Sequence, residues 1–335
     1  VLTTPDNLLS SFQDFWRKHG DLSLEPLLCE FLDYYATIFD AHTTPKDYKG
    51  TTAPGESLGF ATLGPNRNEC LEVDRSTFRI CMEELIGDTR QVPRKLFFQA
   101  LHVAYSRALG RRVRNPIIVF GLHSVTHPGR LKGLMEDFSD VQFLTMVRQP
   151  VQATGSRLRL QFRFGVSVSH FHRIISGVAR GGVTAPSTLA AQWRAVKMED
   201  LHHAPEPTMR RVCNWLDLPW NDVLLESTVN GKQWWNGKGS LQVSGFSTAI
   251  LSQSFDEYLS QFDRLRLNIL LNRKCAAWDY AVPRWSGHLV AKLLVLPLLL
   301  APFKVELTFW SVLKASIQKD QTLLSRRAWF YSRAL

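Results

Sequence analysis

Apolar residues recur at helical spacing through most of the first third of the chain. Phe12, Phe15 and Trp16 share one face of a short segment that stops at Gly20, and 25-EPLLCEFLDYYATIF-39 repeats the pattern over a longer one. Two further helices are predicted over 75–87 and 93–110, the second opened by Pro93 and stopped by Gly110. Between these pairs, 43-TTPKDYKGTTAPGESLG-59 is rich in Thr, Pro and Gly and reads as a long loop. The whole stretch reads as scaffold.

The pattern changes at 116-PIIVFGLHS-124, a short continuous apolar run bounded by Pro and Gly, which predicts a strand buried on both faces. A helix follows over 129–138 and a second buried strand over 141–147. That order is a βαβ unit and implies a parallel sheet with a right-handed crossover, so the expected fold class is α/β. Farther on, Glu199 and Asp200 end a short strand. The segment 208-TMRRVCNWLDL-218 forms a core-packing helix with Met209, Val212, Trp215 and Leu216 on one face, and 251–274 is amphipathic and helical.

Ligands of open α/β sheets sit beyond the carboxyl ends of the strands, and Arg148 stands at such an end. Pro150 lacks an amide hydrogen and has a preset φ, which suits the first turn of a helix starting directly off the strand and puts Ser156 in its second turn. A guanidinium at a strand tip, a hydroxyl in the next helix and the helix start itself can converge on one anion, and a phosphate is the natural guest. The ordinary alternative pairs Arg148 with a carboxylate and leaves Ser156 on the surface. A second polar stretch, Asn230 to Ser240, combines Gly231, Gly237 and Gly239 with Lys232, Lys238, Trp234 and Trp235. Amides freed by glycine beside lysine favour phosphate, and a tryptophan can stack a purine; the alternative is a plain surface loop. It is not a Walker A motif, because five residues separate Gly231 from Gly237 and Gly239 follows Lys238 where Ser or Thr is required.

The run 138-FSDVQFLTMVRQPVQATGSR-157 resembles the 3′-phosphate-binding segment of sulfotransferases that use 3′-phosphoadenosine-5′-phosphosulfate (PAPS). In those enzymes a helix ends near Phe-Pro-Asp, a strand runs to Arg-Asp-Pro, and a serine follows in the helix. The resemblance continues in 196-VKMEDLHHAPEPTMRRVCNWLDLPW-220 and in 227-STVNGKQWWNGKGS-240, which is similar to a Thr-Asn-Gly-Lys-x-Trp loop near the adenosine end of the cofactor. It implies a P-loop-type parallel sheet flanked by helices, with Arg148 and Ser156 on the 3′-phosphate and Asn230, Gly231, Lys232 and Trp234 near the adenosine. Gln149 stands where an acidic residue is usual and Ser139 where proline is usual; neither change removes a ligand.

The implied function is transfer of a sulfuryl group from PAPS to a hydroxyl or amine of a small-molecule, lipid or glycan acceptor. Such transfer needs in-line positioning, cations on the bridging and leaving oxygens, and a base for the acceptor, and no metal is required if protein cations suffice. His123 and His127, just beyond the strand at 116–122, are the candidate bases, with purely structural roles as the alternative. The family often carries Lys and Pro where Gly121, Leu122 and His123 stand, so this role does not carry over directly. Sulfotransferases of this kind also open with a strand, a Gly-Thr-Thr-type loop around the 5′-phosphosulfate and a helix. None of these is found here, and 1-VLTTPDNLLSSF-12 resembles the segment that comes after that helix. The expectation is therefore a truncated sequence, lacking about 25 residues by ordinary element lengths, that binds the 3′-phosphoadenosine end weakly and transfers no sulfate.

Composition narrows the remaining readings. At 335 residues with 45% hydrophobic and 21% charged side chains, the chain has ample material for a core. Its net charge of +10 favours anionic partners. The basic residues are dispersed and no nucleic-acid motif occurs, which argues against a nucleic-acid binder. Five cysteines, widely spread and without a CxxC pair, argue against a disulfide framework or zinc site. They point with the absence of a leader to a cytoplasmic protein. Residues 289–313 are the most apolar stretch, interrupted by Lys292, Pro297, Pro302, Lys304 and Glu306, and 324-LSRRAWFYSR-333 is basic and aromatic. A domain over 1–285 and a C-terminal apolar helical extension over 286–335 are therefore expected, the extension lying on an anionic membrane surface or packed on the domain or a dimer partner. The alternative to the enzyme is a non-catalytic, membrane-associated protein that binds a nucleotide or another anion.

Overall fold

The computed structural model describes residues 2–122 except 6, 7, 47, 113 and 115, then 128–163, 187–235 and 243–281, together with 301, 303 and 304. In chain order the elements begin with α1 (Phe12–His19), α2 (Leu24–Tyr34), α3 (Pro54–Ser57), α4 (Arg75–Ile86), α5 (Arg94–Ala108) and α6 (Pro128–Asp137). They continue with β1 (Phe143–Val147), α7 (Pro150–Arg163), β2 (Trp193–Lys197), α8 (Met198–His203) and α9 (Pro205–Leu216). The short strands β3 (Thr228–Val229) and β4 (Lys232–Gln233) and the helices α10 (Gln261–Leu270) and α11 (Asn272–Ala277) complete the order. The chain divides into two units: residues 1–141 with 205–247, and residues 142–204 with 248–335.

The first unit is helical, as the apolar periodicity predicts. Its core is aromatic: Phe12, Phe15, Phe31, Phe78 and Phe97 are buried together, and Phe31 stands edge-on to Phe97 and stacks on Phe78. Asp74 starts α4 by accepting hydrogen bonds from the amides of Thr77 at 2.8 Å and Ser76 at 3.3 Å, and Gly87, with φ of 64°, follows its end. Tyr105 on α5 donates to the carbonyl of Ile38 at 2.7 Å and pins α5 to the turn after α2. Arg94, at the start of α5, grips Asp137 at the end of α6 through two bonds of 2.6 and 3.0 Å.

The segment 116–122 departs from the strand buried on both faces that its apolar run predicts. It is extended, but its only ladder among the described residues is a parallel bridge to Leu2, through Leu2 N to Ile117 O and Val119 N to Leu2 O, both 2.8 Å. Ile118 and Phe120 face the core while Ile117 and Val119 are 45% and 48% exposed. A lone extended segment buries one side of its pleat, so the continuous run resolves into a period of two.

In the second unit β1 pairs with β2 in parallel, in register from Phe143 opposite Trp193 to Val147 opposite Lys197, and the Phe143 and Trp193 rings stack at 4.9 Å. The combination of helices with a parallel strand pair is the α/β class expected. The strand over 141–147 is shorter than predicted, and it is buried on one face, since Leu144 and Met146 are 48% and 60% exposed. The helical region over 251–274 also begins later than its pattern suggests, at Gln261. There Ser260 and Asp263 form a reciprocal capping box. Asp263 also pairs with Arg266, both about 1% exposed, and accepts from the amide of Lys304 at 3.0 Å. Apart from 301, 303 and 304, the proposed extension 286–335 lies outside the described residues. Among the described residues no helix is long and apolar enough to cross a membrane. All five cysteines are free.

Candidate anion-binding site

Two residues, Arg148 and Gln149, link the end of β1 to the start of α7. Pro150 occupies the first helical position, where a missing amide hydrogen loses nothing. Gln149 acts as the cap: its side-chain oxygen accepts from the amide of Gln152 at 2.8 Å, and its own amide donates to Glu199 Oε1 at 2.9 Å. Glu199 belongs to α8, directly after β2, and its second oxygen accepts from the Tyr280 hydroxyl at 2.7 Å. Burial, and after it donation to this carboxylate, raises the Tyr280 pKa well above the usual tyrosine value. Glu199 thus serves at the strand end by tying down β1, β2 and the segment after α11. Lys197 reinforces that tie through the Asp279 carbonyl at 2.9 Å and carboxylate at 3.5 Å.

This fixed link holds Arg148 at the carboxyl end of β1. Its guanidinium is half-buried, and its Nη2 is buried with no hydrogen-bond partner among the described residues. Burial first, and then the nearby Arg159 charge, lower its pKa, while Glu199 opposes the shift. An arginine still stays charged, so the orphaned nitrogen is a buried cationic donor without an acceptor. Ser156 lies two turns into α7, half-buried, with no hydrogen bond to its hydroxyl among the described residues. Among those residues, neither side chain has the carboxylate partner of the ordinary alternative.

Phe255 forms the floor of this region. It is 1% exposed, and the guanidinium carbons of Arg148 and Arg159 lie 5.9 and 5.3 Å from its ring centre. The ring packs so closely on α7 that a Cβ at Gly155 would come within 2.6 Å of Phe255 Cγ, and this is why glycine stands beside Ser156. Arg159 is held by Gln253 Oε1. Gln152 Oε1 is a second buried atom without a partner among the described residues, and the spacing of Gln152, Ser156 and Arg159 puts them on one polar stripe of α7.

The other expected ligands lie in the first unit. Asn230 and Gly231, with φ of 52° and 81°, make the two-residue turn joining β3 to β4. Asn230 donates to Tyr105 Oη at 2.9 Å, and its carbonyl accepts from Arg111 at 2.6 Å. Lys232 donates to the Cys70 carbonyl at 3.1 Å and pairs with Glu69 at 3.3 Å. Trp234 donates to the Leu58 carbonyl at 2.9 Å, and Trp235 lies under Arg67. Each of these side chains is committed within its own unit. His123, His127, Gly237, Lys238 and Gly239 lie outside the described residues.

The model of the family described as "Sulfotransferase family" matches residues 61–222, the span that carries Arg148, Ser156, Arg159 and Glu199. Over that span, just under half of its length, the chain is similar to the sulfotransferase family. That similarity supports sulfuryl transfer, in general terms, as the chemistry of this region. Two solved structures are loosely similar to the chain. One is a sulfotransferase domain from the curacin biosynthetic pathway, at 15% identity, covering 84% of this chain and 98% of that one, with a TM-score of 0.39. The other is a sulfotransferase domain from an olefin synthase of Synechococcus PCC 7002, at 15% identity, covering 84% and 94%, with a TM-score of 0.38. A search among curated proteins finds no match to this chain.

Proposed function

We propose that this protein is a sulfotransferase that takes PAPS as its donor and holds the 3′-phosphate of that nucleotide with Arg148 and Ser156. The observation that carries the reading is the buried Nη2 of Arg148 at the carboxyl end of β1, which has no hydrogen-bond partner among the described residues. A desolvated guanidinium donor left unpaired is costly, and an oxyanion supplies the acceptor it lacks. The Ser156 hydroxyl, one helix stripe away, adds a neutral donor, and the start of α7 adds its dipole. The sheet is taken as the P-loop type, with the donor beyond the strand ends. Bound PAPS supplies the sulfuryl group and leaves as 3′-phosphoadenosine-5′-phosphate. The acceptor is a hydroxyl or amine of a small molecule, lipid or glycan, and His123 or His127 takes its proton. The Asn230–Gly231 turn, through its bonds to Tyr105 and Arg111, holds the loop that carries Lys232 and Trp234 in shape.

Calorimetric titration with adenosine 3′,5′-bisphosphate and adenosine 5′-phosphate tests the donor site. The bisphosphate should bind more tightly than the 5′-phosphate. Arg148→Gln should weaken bisphosphate binding at least tenfold, since a charged hydrogen bond contributes roughly 1.5–3 kcal/mol, and Ser156→Ala by a smaller factor. Equal affinity for the two nucleotides, or an unchanged Arg148→Gln protein, would refute the assignment.

A further inference from the structure

Two guanidiniums share the Phe255 ring. Arg148 and Arg159 sit 5.9 and 5.3 Å from its centre, close enough for the Arg159 charge to depress the Arg148 pKa. Neither has a carboxylate within ion-pair distance among the described residues. The nearby Glu199 spends its two oxygens on the Gln149 amide and the Tyr280 hydroxyl. Like charges drawn together at a half-buried site are unfavourable unless a third charge offsets them. Arg159 is not left to extend into water, because Gln253 Oε1 engages its Nη2 and holds it against the buried ring. Its place on α7, one turn beyond Ser156, puts it on the same stripe as the proposed phosphate ligand.

We propose that Arg159 is the second cation of this anion site and that the Arg148–Arg159 pair selects a phosphate monoester with two negative charges over a singly charged phosphate diester. The inference rests on the reading of Arg148 and Ser156 as phosphate ligands and goes beyond it by naming the charge state that the site prefers. A monoester dianion offsets both guanidiniums, whereas a diester satisfies one and leaves the repulsion in place. Phe255 and Gln253 are positioning residues that hold the two cations at fixed places.

The probes are adenosine 3′-phosphate and adenosine 2′,3′-cyclic phosphate, titrated calorimetrically into the full chain at pH 7.5 and constant ionic strength. The unaltered protein should prefer the 3′-phosphate by about tenfold or more, the scale of one charged hydrogen bond. Arg159→Gln should weaken the 3′-phosphate by a similar factor and leave the cyclic phosphate within twofold. Arg159→Lys, which keeps the charge, should recover most of the preference, and thermal melting checks that both variants are folded. If Arg159→Gln keeps the original preference within twofold while Arg148→Gln weakens both nucleotides, the inference is overturned and the donor site stands. If the unaltered protein binds neither nucleotide, the donor site falls and the inference with it.

Discussion

Gly155→Ala sets helix propensity against packing, and the structure decides between them. Gly155 lies inside α7, where alanine in place of glycine ordinarily stabilises by about 0.5–1 kcal/mol. At this position the added Cβ would stand 2.6 Å from Phe255 Cγ and 2.8 Å from its Cβ and Cδ2. Carbon contacts are comfortable at about 3.5–4.0 Å, so the ring has to retreat by roughly 1 Å. A χ1 change would move Cγ and Cδ2 but leave the Cβ contact at 2.8 Å, and Phe255 is 1% exposed, with no open space for the ring to enter. Overpacking of this kind costs about 1–3 kcal/mol, which outweighs the helix gain. The expected result is a net loss of up to about 2 kcal/mol, read as a lower urea midpoint at unchanged slope. Binding should suffer as well, because the ring that retreats is the platform under Arg148 and Arg159. Affinity for adenosine 3′,5′-bisphosphate should drop several-fold, and a Gly155→Ala, Phe255→Leu double variant should recover part of the stability by making room. A Gly155→Ala protein that gains the full helix increment and binds the bisphosphate normally would show that the close approach of Phe255 to α7 is wrong.

Two further expectations concern stability alone. His102 is buried, with Nδ1 at 2.8 Å from the Phe98 carbonyl, and burial lowers its pKa to about 4. The folded state therefore refuses a proton that the unfolded chain accepts below about pH 6.5. Stability is full above that pH and falls by roughly 3 kcal/mol as pH drops to 4, and His102→Gln should flatten the decline in urea unfolding measured at pH 7, 5.5 and 4.5. Parallel curves for the two proteins would exclude His102 as the cause. Asp263→Ala removes the carboxylate that serves the capping box, the Lys304 amide and the buried Arg266. Breaking a buried pair from one side costs about 3–5 kcal/mol, so the urea midpoint should fall sharply, and a shift equivalent to less than about 1 kcal/mol would contradict the burial of this pair.

The helices of the first unit were legible because each buries one stripe of a regular period: α2, α4 and α5 fall where the spacing of Leu28, Phe31, Phe78, Met82, Phe97 and Leu101 puts them. The apolar runs at 116–122 and 141–147 misled for one reason. A continuous run signals burial on both faces only where strands flank on each side, and here each segment has one partner among the described residues. Arg148, Pro150 and Ser156 were readable from spacing, since a strand end, a helix start and a second turn follow one another in the chain. Phe255 was not, because nothing local at 251–260 says that its ring packs against Gly155, far back in the sequence. Arg159 was within reach, as the third member of a stripe that begins at Gln152. The stretch from Asn230 reads in the sequence only as a polar loop, which leaves the β3–β4 hairpin unseen, and the commitment of its turn to Tyr105 and Arg111 depends on contacts more than a hundred positions away.

Each unit is assembled from separated lengths of chain, with residues 142–204 interposed between the two parts of the first. Val229 and Trp234 complete the aromatic core that Phe12 begins. During synthesis, then, the helices of residues 1–141 leave the ribosome without the piece that closes them, and wait while the intervening length is made. At about 5–20 residues per second that interval lasts roughly 3–13 seconds, far longer than a helix needs to form. Throughout it, Tyr105 lacks Asn230, and the carbonyls of Cys70 and Leu58 lack Lys232 and Trp234. The nascent chain is thus exposed to chaperone capture or misassembly during one definable window, and codon choice across 142–204 sets how long that window stays open.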